Sequence, residues 1–118
     1  MRYLSIFKQV ERKTPPTQEE MDRMGQYIEE SMKSGVLIAT EGCLPSALGA
    51  RIRSSGGKIT VTDGPFTEAK EVVGGFAILR AGSKEEAVEI TKRFLAFVGG
   101  DGECEIRQLY EAPALAER

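Results

Sequence analysis

The sequence predicts a single α+β domain of the ferredoxin-like type, in which an antiparallel sheet carries two helices on one face and a β-hairpin is inserted. The predicted elements follow one another as strand, helix, strand, hairpin, strand, helix and strand. A capping-box pattern precedes each helix. A length of 118 residues with 41% apolar content suits one hydrophobic core. One domain over residues 1–118 is therefore expected.

The N-terminal third predicts a strand followed by a helix. Apolar and polar residues mix over Tyr3 to Lys8, as in a largely buried, central strand. Pro15 and Pro16 interrupt regular structure, and Thr17 followed three residues later by Glu20 predicts the helix start. The helix then carries one apolar stripe at spacings of three and four, which is expected in the core: Met21, Met24, Ile28 and Met32.

The middle third predicts a strand and then a hairpin. Gly35 is the expected helix stop, and the apolar, β-branched run from Val36 to Thr40 is typical of a strand. Charged or hydroxyl residues alternate with apolar ones on both sides of a turn at Ser55-Gly56-Gly57. This alternation predicts a hairpin with one wet face and one dry face.

The last third predicts a strand, a helix and a final strand. The apolar segment 72–81 is interrupted by Gly74-Gly75, which indicates a bulge or a close backbone approach. Ser83 and Glu86 form the second capping box, and Gly99-Gly100 ends the second helix. Residues 103–110 alternate as a strand, whereas residues 111–118 carry no clear signal. The second helix has its own apolar stripe: Ala87, Ile90, Phe94 and Phe97.

Two helices on one face of a sheet leave the other face in need of cover. A homodimer that packs two such sheets face to face, and so closes a barrel-like cleft, would provide it. A second copy of the chain is therefore its expected partner, in a homodimer. A small molecule bound in the cleft is the second expected partner.

Composition and charge exclude several classes of function. A net charge of −2 indicates neither nucleic acid nor an anionic membrane as a partner. The sequence shows neither a signal peptide nor a transmembrane stretch, so a soluble, cytoplasmic protein is expected. Cys43 and Cys104 are expected to remain reduced thiols there.

The chain has no histidine. Histidine is the usual general base near neutral pH and the commonest metal ligand. A Ser-His-Asp or Cys-His arrangement is therefore excluded, and a zinc site is not expected. No metal and no cofactor are predicted.

The segment between the hairpin and the next strand, VTDGPFTEAKEVVGGF, raises the question of chemistry. Asp-Gly normally makes a two-residue hairpin turn, but Pro65 has no N–H to donate across it. The chain should therefore leave the strand as a wide loop, with Asp63 at the strand end. Asp63 is the candidate acid or base, and an Asx-turn is the structural alternative.

The neighbouring residues offer candidate binding groups. Phe66 either closes a ligand site or packs as a hydrophobic plug. Lys70 is a candidate to orient an anion, or else pairs with a nearby acid. Arg51 and Arg53, two apart on one strand face, are candidates to grip an anion, although charges on an edge strand also guard against aggregation.

Several stretches together resemble one protein family. VTDGPFTEAKEVVGGFAIL at 61–79, KEEAVEITKRF at 84–94 and ECEIRQLYE at 103–111 are similar to the DGPF branch of the YCII-related family. RYLSIF near the start and SGVLIATEGCLPS before the hairpin extend the resemblance over nearly the whole chain. The resemblance implies a ferredoxin-like dimeric α/β barrel, a fold shared with small isomerases, dehalogenases and monooxygenases.

The resemblance also implies an active site in which a His and an Asp face the cleft. The Asp corresponds to Asp63, whereas the His has no counterpart. Met21, Met24 or Tyr27 occupy the helix region in which the His would be expected. Some members of the DGPF branch are linked with extracytoplasmic-function sigma factors, which implies a regulatory alternative.

Three hypotheses remain open from the sequence. The first is a cofactor-free lyase, isomerase or dehalogenase that acts on a small anionic organic molecule, with Asp63 as general acid or base. The second is a non-catalytic ligand-binding or regulatory accessory protein. The third assigns the DGPF motif to dimerisation alone. The sequence does not decide whether the protein is an enzyme.

Overall fold

Six strands and two α-helices follow in the predicted order in the computed structural model, which describes residues 1–111. A short 3-10 helix, Ser46–Leu48, precedes the hairpin. The elements are β1 (Arg2–Gln9), α1 (Gln18–Lys33), β2 (Leu37–Gly42), β3 (Ala50–Ser55), β4 (Lys58–Asp63), β5 (Val72–Arg80), α2 (Lys84–Val98) and β6 (Glu103–Gln108).

Four of the strands form the main sheet in the order β2-β5-β1-β6, and every neighbouring pair is antiparallel. This is the strand order of a ferredoxin-like fold, with β1 in the interior of the sheet as predicted. The α+β, ferredoxin-like prediction is confirmed. The last strand ends at Gln108, two residues earlier than the alternation suggested.

The two faces of the sheet differ because side chains alternate along β1. Tyr3 and Ser5 are buried toward the helices, whereas Leu4 and Ile6 lie on the opposite face, which carries no helix. We call that opposite surface the helix-free face. The buried apolar core is small and lies on the helix side: Tyr3, Leu79, Ala81, Ala87 and Ile90.

Helix α2 packs directly on the sheet. Ala87 is fully buried, and Ile90 and Thr91 are buried beside it. The Ser83 hydroxyl accepts the backbone N–H of Glu86, as a capping residue should. The Glu86 carboxylate, however, accepts the N–H of Gly82 and not that of Ser83, so the predicted capping box forms in one direction only.

Helix α1 contradicts the prediction for its methionine stripe. Its capping box is complete, since Thr17 and Glu20 each accept the other's backbone N–H. Yet no residue of α1, all of which the structure describes, is buried, and Met21 and Met32 are 48% and 45% exposed. The reason is that α1 packs against the aromatic end of α2 and stands away from the sheet, as described below.

The hairpin β3–β4 forms a separate two-stranded sheet with its turn at the predicted glycines. The predicted dry face is not dry in the single chain, because every residue of both strands is exposed. One face carries Ile52 opposite Val61, and the other carries Arg51 opposite Thr62. The apolar face lies away from the core, so nothing in residues 1–111 covers it.

Two further predictions concern the sheet and the thiols. The register of β1 against β5 shifts between Phe7 and Lys8, opposite Gly74 and Gly75, which confirms the bulge. A Cβ at Gly75 would lie 2.8 Å from the carbonyl oxygen of Glu41, so the close approach is present as well.

Both cysteines are free, since β5 and β1 separate the end of β2 from β6. Predictions for residues 112–118 lie outside the described residues.

Candidate functional site

A large cavity lies between the two helices and the sheet, and we call it the helix cavity. Its volume is about 850 Å³. Its bulge-side wall includes Gly74 and Gly75. Apolar side chains from each surrounding element line it: Met24, Ile28, Leu37, Leu79, Ile90 and Phe94.

An aromatic cluster holds the two helices together at one side of this cavity. The Tyr27 ring stacks on Phe97 with centroids 4.3 Å apart, and it lies 6.2 Å from Phe94. Phe7 meets Phe94 edge to face at 5.8 Å. The two Tyr27 contacts connect α1 to α2, whereas the Phe7 contact connects β1 to α2. The helix cavity lies beneath α1. Burial raises the pKa of the Tyr27 phenol, so it stays protonated at neutral pH.

Charged residues line the mouth of the helix cavity, in the segment between β1 and α1. Arg12 makes two hydrogen bonds to the Glu20 carboxylate, at 2.9 and 3.2 Å. The Arg12 hydrogen bond, followed by that from the Thr17 backbone, lowers the pKa of Glu20 to about 2. The ion pair therefore stays charged over most of the pH range and fixes the start of α1 at the rim.

Ser46 joins three loops at the border of this cavity. Its backbone N–H and its hydroxyl both donate to the Glu11 carboxylate at 2.6 Å. Its hydroxyl oxygen in turn accepts the backbone N–H of Phe66 at 3.3 Å. The Ser46 hydroxyl and then its backbone N–H lower the pKa of Glu11. The DGPF loop is thus tied to the segment before α1.

Steric crowding explains why residue 64, in the DGPF motif, is a glycine. A Cβ at this position would overlap the carbonyl oxygen of Ser46. The backbone N–H of Gly64 also donates to the carbonyl of Gly49 at 3.0 Å. The predicted wide loop is therefore present, and glycine is required because two backbone segments touch.

A second concave surface lies on the other side of the 43–45 segment, and we call it the loop groove. Its volume is about 670 Å³, and Cys43, Leu44 and Pro45 line both it and the helix cavity. Lys8, Arg51, Phe66 and Glu71 also line it. Lys8 pairs with Glu105 at 3.3 Å on the helix-free face, so the loop groove opens toward that face.

Two of the five predicted site residues meet in the loop groove. The Arg51 guanidinium lies 3.9 Å from the centroid of the Phe66 ring. Arg51 also pairs with Glu68, the next acid along the loop. Glu68 is therefore paired with Arg51 and not with Lys70.

The other three predicted site residues lie elsewhere. Asp63 is exposed at the end of β4, opposite Ala50, and lines neither the helix cavity nor the loop groove. Arg53 and Lys70 are exposed and line neither of them. In the single chain, Asp63 thus lacks the enclosure that a general base normally has.

Glu11 and Ser46 were missed by sequence reasoning. They are 35 residues apart in two loops, where neither periodicity nor a motif marks them. The Cys104 thiol is not activated by its surroundings. Burial is the main cause that raises the pKa of Cys104, which disfavours the nucleophilic thiolate.

The described residues contain neither a metal-binding cluster nor a membrane-spanning helix. No group of three or more His, Cys, Asp or Glu side chains in residues 1–111 is arranged to hold a metal ion. Neither of the helices that the structure describes has the length and apolarity needed to cross a bilayer.

Known proteins with similar sequences place the chain in a family. An uncharacterized protein of Rhizobium meliloti (strain 1021) is 31% identical over 78 residues, which are 66% of this chain. Those residues span 63% of that protein's length, which is less than two thirds of it. A family model described as the YCII-related domain matches residues 1–113. Since this match takes in nearly all of the 118 residues, the chain belongs to the YCII-related family.

Proposed function

We propose that the protein binds a small organic molecule with a largely apolar body in the helix cavity. The observation that carries the proposal is the cavity itself. Its volume of about 850 Å³ falls within the roughly 300–1,000 Å³ of small-molecule sites. Apolar side chains form the walls and charged groups gather at one mouth, as in sites that orient an amphipathic ligand.

The chemistry of the lining supports binding over catalysis. Glu11 and Glu20 have lowered pKa values, so both are ionised and are poor proton acceptors at neutral pH. Tyr27 has a raised pKa, so its phenol acts as a hydrogen-bond donor and not as a base. These groups suit recognition of a ligand more than proton abstraction from it.

Asp63 as the acid or base of a cofactor-free lyase, isomerase or dehalogenase stays a prediction. That role needs a second chain or a ligand to enclose its exposed carboxylate. Membership of the DGPF branch and a link with an extracytoplasmic-function sigma factor also stay predictions. The binding proposal depends on none of them, because the helix cavity lies within one chain.

A neutral fluorescent probe and one glycine test the proposal. Gly25 lines the helix cavity, and a Cβ added there would meet nothing within 4 Å. Gly25→Leu should therefore take up part of the cavity and raise helix stability, since Gly costs about 1 kcal/mol in a helix. N-phenyl-1-naphthylamine should bind the natural protein saturably, at one site per chain, and bind the variant at least tenfold more weakly.

Gln26→Leu is the matched control. Gln26 is the neighbouring residue of α1, is exposed, and does not line the helix cavity. The control introduces the same leucine side chain outside the cavity, so the variant should bind the probe as the natural protein does. Undiminished binding to a folded Gly25→Leu variant would contradict the proposal, as would probe fluorescence that never saturates.

We also propose that two chains associate through the helix-free face. Leu4, Ile6 and Ile78 are only half-buried there, and Phe76 is 37% exposed. Such an apolar sheet face is a typical subunit contact. Light scattering should give the mass of a dimer for the natural protein and a lower mass for Phe76→Lys. Val10→Lys, at a residue that is 62% exposed beyond β1, is the control, and a monomeric natural protein would reject the proposal.

A further inference from the structure

We propose that Arg51 and Phe66 form a binding site for small organic carboxylates in the loop groove, and that Glu68 occupies it when no ligand is bound. This site is separate from the helix cavity, and it does not rest on the function proposed there. Three features carry it: a stacked guanidinium, a carboxylate of the same chain already held on it, and an apolar wall beside it.

The Arg51 guanidinium is positioned by the Phe66 ring. Its central carbon lies 3.9 Å from the ring centroid, which is cation–π distance. A guanidinium stacked in this way keeps its N–H edge free for a carboxylate and loses little freedom on binding one. Phe66 is itself fixed by its backbone N–H, which donates to Ser46. Arg51 is therefore a preorganised anion-binding group.

Glu68 shows which chemistry the guanidinium accepts. Its carboxylate is paired with Arg51 although its side chain remains 67% exposed. Exposed ion pairs contribute little net free energy. A ligand carboxylate that also gains apolar contacts can therefore displace Glu68, whose side chain has open solvent to move into.

The body of the ligand is defined by the wall next to Arg51. Leu44, Pro45 and Leu48 line the loop groove, and Leu44 and Leu48 are 78% and 74% exposed. An aromatic or short alkyl group placed there would cover apolar surface that otherwise faces water. The other cation of the groove, Lys8, is already paired with Glu105. The site therefore suits a monocarboxylate with an apolar body.

Fluorine NMR with two small probes tests this site. 4-Fluorobenzoate carries the carboxylate, and 4-fluorobenzamide is its neutral counterpart of nearly equal size. The benzoate should bind more tightly than the benzamide, and Arg51→Met should weaken benzoate binding at least tenfold, because charge-assisted hydrogen bonds are lost. Arg53→Met is the matched control: it removes the same charge from the same strand face outside the groove, and benzoate binding should be unchanged.

Glu68→Gln gives the decisive result, because it should strengthen binding. Removing the competing carboxylate should raise benzoate affinity about two- to fivefold, the equivalent of an exposed ion pair. A gain of this kind cannot result from misfolding. Equal affinity for the two probes, full benzoate binding by a folded Arg51→Met variant, or no gain from Glu68→Gln would each overturn the proposal.

Discussion

The two helices begin with the same kind of sequence signal and yet pack in different ways. Both have a Ser or Thr cap followed three residues later by Glu, and both have an apolar stripe. Helix α2 buries Ala87, Ile90 and Thr91 on the sheet, whereas α1 buries no residue, although every one of its positions is described. One helix completes the core, and the other forms the wall of a cavity.

The difference follows from side-chain size on the inward faces. Ala87 and Thr91 are short, so the backbone of α2 comes close to the sheet. The inward face of α1 carries Met24 and Ile28, and Tyr27 seats the helix against Phe97 of α2. Periodicity therefore identifies which face of a helix points inward, while residue size and aromatic contacts decide how far inward the helix lies.

The largest expected effect comes from adding the same side chain to the two inward faces. Ala87→Leu would place three carbon atoms more where no exposed surface remains, and should destabilise the protein by about 3 kcal/mol. Gly25→Leu enters open space and should instead raise the melting temperature. Thermal unfolding of both variants by circular dichroism makes the comparison. Equal destabilisation by the two would show that α1 is packed as tightly as α2.

A smaller effect is expected where the two helices meet. Tyr27→Ala removes the stack on Phe97 and should cost about 2 kcal/mol, because a half-buried ring and an aromatic pair are lost. Tyr27→Phe keeps the ring and should stay within about 0.5 kcal/mol of the natural protein. Urea unfolding followed by circular dichroism measures both. If Tyr27→Ala were as stable as Tyr27→Phe, the aromatic stack would not be what positions α1.

The sequence predicted the parts of the fold that depend on nearby residues. The cap at Thr17, the hairpin turn at Gly56-Gly57 and the bulge at Gly74-Gly75 are all present. Each rests on backbone geometry or on a partner within a few residues, and local chemistry specifies such features. The strand order then followed from the order of the elements along the chain.

The site was less predictable because its contacts join distant residues. Arg51 and Phe66 were identified as binding candidates and do meet, whereas Asp63 lies at an exposed strand end. The bonds from Ser46 to Glu11 connect two loops, and no periodic pattern reports them. The helix cavity depends on how far α1 stands from the sheet, a distance that hydrophobic spacing does not encode.

The smallest expected effect is on the pH dependence of stability, to which the start of α1 contributes through Glu20. The pair with Arg12 lowers the pKa of Glu20 in α1 to about 2 from the usual 4.5 of a glutamate, so the unfolded chain binds more protons between these pH values. The stability that the charged carboxylate provides is therefore fully present above pH 4.5 and is lost as the pH falls toward 2. Glu20→Gln should lower the melting temperature modestly at pH 7 and reduce its further decrease in acid.

Glu19→Gln is the matched control for this pH dependence. Glu19 lies in the same first turn and is exposed, so its removal changes the helix-end charge by the same amount. The acid-induced decrease in melting temperature should then remain close to that of the natural protein. The two variants could instead show an equally reduced decrease in melting temperature between pH 5 and 2.5. The decrease would then come from charge at the helix start and not from the Arg12 pair. That result would make the start of α1 no more fixed than that of α2, and the difference between the helices would rest on their inward faces alone.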